Sequence, residues 1–106
     1  MARTPFSGIE RRDTLAQLDR WFVRGDHDIK AASDGVRFDT LAAAEIHART
    51  LADGESRDAA IVRGNDGGFW VYEIEERAGV DGVDSVDADV RGNVVGARLP
   101  NGATLE

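Results

Sequence analysis

The residue types that most often carry chemistry are sparse in this sequence, which has two histidines, a single lysine (Lys30) and no cysteine. His27 stands between Asp26 and Asp28, a setting that suits a carboxylate-tuned general base or one ligand of a metal site. Adjacent residues on an extended chain point to opposite sides, so the two aspartates cannot both orient the ring. Catalysis would also need a nucleophile, and Ser33 and Thr40 are near His27 only in sequence. His27 therefore reads as a solvated loop residue. His47 follows Glu45 by two positions, and residues two apart do not face each other on a helix. A metalloprotease helix needs His-Glu-x-x-His, so His47 reads as a helix-surface histidine or one beside the core.

The best metal candidate is the acidic run Asp81, Asp84, Asp87 and Asp89. Asp87-Ala88-Asp89-Val90-Arg91-Gly92 partly imitates the start of a calcium loop, with glycine in the sixth place. Arg91 then stands at the fifth place and Arg98 at the twelfth, where a calcium loop needs oxygen ligands. Specific calcium binding is not expected. The run reads as a solvated loop and strand edge.

Gly64-Asn65-Asp66-Gly67-Gly68 feeds a strand and has no lysine. A phosphate loop would feed a helix N-terminus, so this segment reads as a hairpin turn. Arg11, Arg12, Arg20 and Arg24 gather around Trp21, but a net charge of −7 opposes tight binding to phosphate backbones. No residue earns a catalytic, cofactor-binding or metal-binding assignment, no cofactor is implied, and nucleic acid is an unfavoured partner.

The elements that would position these groups follow from periodicity. Residues 1–12 lack it and read as a lead-in. A helix fits Thr14 to Arg24, capped by Asp13 and ended by Gly25, with Leu15, Leu18 and Phe22 as its apolar stripe and Trp21 at the edge. Ile29–Ala32 and Val36–Phe38 flank Ser33-Asp34-Gly35, the turn chemistry of a tight hairpin. A second helix fits Leu41 to Ala52, capped by Asp39 or Thr40 and stopped by Asp53-Gly54. It is rich in alanine for close packing, with Leu41, Ile46 and Leu51 as larger apolar groups. The strongest β signal is Ala59–Arg63 and Phe69–Glu75 around the glycine-rich turn. Val86–Val90 and Val94–Leu99 predict two short strands, and Pro100-Asn101-Gly102 ends the fold. Leu105-Glu106 resembles the pair of residues that expression vectors leave before a tag.

At 42% hydrophobic and 31% charged residues, the chain has the composition of a folded globule. The expected architecture is a single α+β domain over residues 1–104, with two short helices packed on one face of a small, mainly antiparallel sheet of four to six strands. The alternative is a small curled half-barrel. No apolar run approaches the roughly 18–20 residues of a membrane span, and no secretory signal pattern opens the chain, so a cytoplasmic location is expected.

Charge divides unevenly. Residues 1–25 carry +2 and residues 26–106 carry −9. The leading expectation is a non-enzymatic binding or regulatory module acting through protein–protein contacts, with no membrane partner. One alternative is an acidic accessory or decoy protein that engages a basic nucleic-acid-binding partner; another is a small enzyme using His27 with nearby acids. With both helices on one face, the expected arrangement, Trp70, Tyr72 and Ile74 would be left on the other. They would form, with Trp21, an interaction surface for a homodimer. The rival arrangement, one helix on each face, would need no partner.

Overall fold

The computed structural model describes residues 9, 13–26, 28–76, 86–100 and 104–105. Helix α1 (Leu15–Phe22) is followed by strands β1 (Ile29–Ala31) and β2 (Val36–Phe38), then helix α2 (Leu41–Arg49), which runs on into a widened π turn (Thr50–Gly54). Strands β3 (Ala59–Arg63) and β4 (Phe69–Glu76), a 3-10 turn (Ala88–Val90), β5 (Val94–Arg98) and β6 (Thr104–Leu105) complete the order. The strands form one open sheet, β1-β4-β3-β5-β6, with every described pairing antiparallel and β2 also on β4. No described helix is long and apolar enough to cross a membrane.

The β3–β4 hairpin forms as its sequence predicts, from Ala59↔Glu73 to Arg63↔Phe69 around the glycine-rich turn. The first expected hairpin does not form. Ile29↔Glu76 to Ala31↔Ile74 and Val36↔Val71 to Phe38↔Phe69 place β1 and β2 in line along the same strand. Residues 32–35 are thus a bulge in one interrupted strand, with four residues facing the two of 72–73. Ser33 replaces part of the missing ladder, its Oγ accepting from the Glu73 N–H at 3.1 Å. Gly35 is needed for close approach, because a Cβ there would lie 2.6 Å from Cζ of Tyr72.

Both faces of the sheet are covered from within the chain. Ala60, Val62, Tyr72 and Ile74 join Leu18 and Phe22 of α1, Ile29, Val86 and Val90 in one buried cluster. The alternate residues Ala59, Ile61 and Val71 pack against Ala44, Ala48 and Leu51 in the other. The helices therefore lie on opposite faces, a correction to the single-face expectation. The cause is the β3–β4 alternation, which gives each face apolar side chains of its own. Phe22 meets Tyr72 edge-on at 5.6 Å between ring centroids, a favoured aromatic geometry.

The helices differ from expectation in detail. Thr14, rather than Asp13, caps α1 by accepting from the Gln17 N–H at 3.1 Å. Thr40 caps α2 in the same way through Ala43. Ala44 and Ala48 are fully buried, whereas Ile46, expected in the core, is 62% exposed. At about 100° per residue, position 46 points away from a stripe made by 44 and 48. The helical run ends at Gly54, where Asp53-Gly54 is expected to stop it, and the left-handed residue lies just beyond, at Ser56, whose φ is 54°. Val86–Val90, expected as a strand, contains the 3-10 turn, and Leu105 pairs with Ala97 in β6.

Candidate functional site

The 3-10 turn brings its acids against the β3–β4 hairpin. Asp87, Asp89 and Val90 line a recess of about 470 Å³ together with Asp66 of the hairpin turn and Trp70 of β4. Trp70 pairs with Arg37 of β2 on one side and Val62 of β3 on the other, which fixes its backbone in the centre of the sheet. Its ring lies over bare Gly64, where a Cβ would be 2.8 Å from Nε1. The Nε1–H is buried and has no hydrogen-bond partner among the described residues.

Asp66 is already engaged. Its Oδ1 accepts from the Gly68 N–H at 2.8 Å and its Oδ2 from Arg37 Nε at 2.8 Å. The Gly68 N–H, and then Arg37, hold its carboxyl below the usual aspartate range. Arg37 reaches Asp39 as well, at 2.6 Å, and lies so close over Gly68 that a Cβ there would meet the guanidinium at 2.6 Å. Asp87 and Asp89 are exposed and form no ion pair among the described residues. The uncompensated charge of the recess therefore comes from the 3-10 turn.

Tyr72 lies beneath the same turn, 2% exposed. Its hydroxyl points at the Asp87 backbone without reaching ordinary hydrogen-bond geometry. Burial first, and then the Asp87 charge, push its pKa up to about 12.

A second depression runs beside α1, lined by Ala16, Asp19, Arg20, Arg24, Asn93 and Val94. Asp19 is its buried centre and is spent on structure, accepting from the Val94 N–H at 2.9 Å and from Arg24 Nε at 3.1 Å.

The residues singled out from sequence are distributed unevenly over these features. Tyr72 and Ile74 are each 2% exposed beneath α1, and Trp21 and Trp70 are partly buried against the same cluster. The aromatic surface expected for a homodimer is thus largely internal core, because α1 occupies the face that was to stay open. His27, Asp81, Asp84, Arg11 and Arg12 lie outside the described residues. Ser33 and Thr40 each use their hydroxyl to accept a backbone N–H. His47 lies on α2, half-buried, with its ring centroid 5.2 Å from that of Phe38. Among the described residues, no cluster of three or more acids or histidines could hold a metal ion.

Sequence reasoning missed the recess, because nothing in local spacing links Asp66 and Trp70 to Asp87. The free carboxylates beside a partly exposed indole can attract a cationic group and offer it an aromatic surface. No protein-family model, curated protein or solved structure matches this chain.

Proposed function

We propose that this protein is a non-enzymatic binding module that acts through protein contacts and engages a basic partner. The observation that carries this reading is the recess beside Trp70, where Asp87 and Asp89 have no ion-pair partner among the described residues. The charge of −9 over residues 26–106 supports it, because a one-signed surface steers opposite charge toward a cleft. A partner that binds nucleic acid through the same basic surface would be displaced from it, which is how the reading accommodates a decoy role.

Calorimetry with a hexalysine peptide at low ionic strength tests the reading. Binding is expected to weaken with added salt and to be lost in the Asp87→Asn/Asp89→Asn variant. An Asp26→Asn/Asp53→Asn control, with the same change in net charge, is expected to bind as the parent does. Equal loss in both variants would reduce the interaction to net charge and end the reading.

A further inference from the structure

We infer that the group the partner places in the recess is an arginine side chain, its guanidinium laid on Trp70 and hydrogen-bonded to Asp87 and Asp89. The inference rests on the basic-partner reading and narrows it to one residue type. Trp70 and Val90 supply apolar wall, Asp87 and Asp89 supply acceptors, and Asp66 is already satisfied by Arg37 and Gly68. A guanidinium is planar, weakly hydrated and stacks on aromatic rings while its edge donates to carboxylates. A lysine ammonium is a compact, strongly hydrated point charge and uses a flat wall less well.

The chain shows half of this arrangement already, a guanidinium shared between two aspartates. Arg37 is clasped between Asp39 and Asp66 and lies over Gly68, beside the same tryptophan.

The test follows the two tryptophan indole N–H signals by NMR in the full-length protein during titration with hexa-arginine and, separately, hexalysine. Hexa-arginine is expected to shift the Trp70 signal and to bind about tenfold tighter than hexalysine. The Asp87→Asn/Asp89→Asn variant is expected to abolish that preference, while Asp26→Asn/Asp53→Asn preserves it. Both substitutions are at exposed positions, so the fold is kept. Equal affinity for the two peptides, still dependent on Asp87 and Asp89, would overturn the arginine assignment and leave the basic-partner reading standing. Binding that ignores Asp87 and Asp89, or no binding, would overturn both.

Discussion

The carboxylate of Asp19 accepts the backbone N–H of Val94 at 2.9 Å, joining α1 to the first residue of β5 across 75 positions of sequence. Val94 sits where β5 slips its register on β3, pairing with Val62 after Gly96 pairs with Ile61. Such a bulge leaves ladder groups unpaired, and Asp19 satisfies one of them. Asp19→Ala would strand a buried donor and is expected to cost about 1–3 kcal/mol in chemical denaturation. A loss of only a few tenths would show that α1 is held by its apolar stripe alone.

Tyr72 is the sole tyrosine, so absorbance near the phenolate band reads it without interference. Folded protein is expected to titrate at about 12 rather than the ordinary 10.0. The raised value means that the folded chain holds its phenolic proton longer than the unfolded chain does. Its contribution is complete below pH 10 and is lost as pH rises from there through about 12. Tyr72→Phe removes a buried hydroxyl that has no hydrogen bond of ordinary geometry among the described residues, so stability at neutral pH is expected to be unchanged or slightly higher.

Gly35 is fixed by the ring beneath it rather than by a left-handed backbone. Gly35→Ala would drive a Cβ into Tyr72, at 2.6 Å from Cζ, and is expected to destabilise by about 1–3 kcal/mol through overpacking. Thermal melts of this variant alone and combined with Tyr72→Leu check the cause. If the clash is the reason, the second substitution masks much of the first.

Ser56 carries the left-handed turn after α2, with φ at 54°, while Gly54 stays in the preceding π turn. Ser56→Gly is expected to stabilise by about 0.5–1 kcal/mol, the relief of Cβ strain being partly offset by unfolded-chain entropy. Urea melts of the exposed-site variant give the sign directly.

With α1 and α2 on opposite faces, the sheet requires no second copy to bury its apolar side chains. Light scattering at micromolar concentration is expected to give the monomer mass of 11.5 kDa. A dimer dissociated by a charge at Trp70 would instead revive the surface expected from sequence.

What the sequence revealed depended on how local the signal was. The β3–β4 hairpin was legible because its strand formers and glycine-rich turn are contiguous. Close packing of α2 through its alanines was legible from composition, but not the stripe, since Ala44 and Ala48 are buried while Ile46 is exposed. Of the two caps the sequence allows, Asp39 and Thr40, the structure uses Thr40. Asp34-Gly35 misled because a two-residue bulge uses the same turn chemistry as a hairpin, and only pairing with β4 separates them. The side of the sheet taken by each helix was equally hidden, since alternating apolar residues on Phe69–Ile74 invite cover on both faces and name neither helix. The recess joins Asp66 and Trp70 to the 3-10 turn by tertiary packing alone, so no spacing rule could have assembled it.

The interruption between β1 and β2 has a consequence for solubility. A continuous strand on the outer edge of β4 would offer a long row of unpaired amides and carbonyls, the template on which sheets of neighbouring molecules join. Broken into two pieces of three residues each, that edge gives a neighbour little to extend. Because the bulge adds an even number of residues, the faces of β1 and β2 stay in phase. The chain thereby blunts this edge against aggregation without turning the faces of β1 and β2 out of phase.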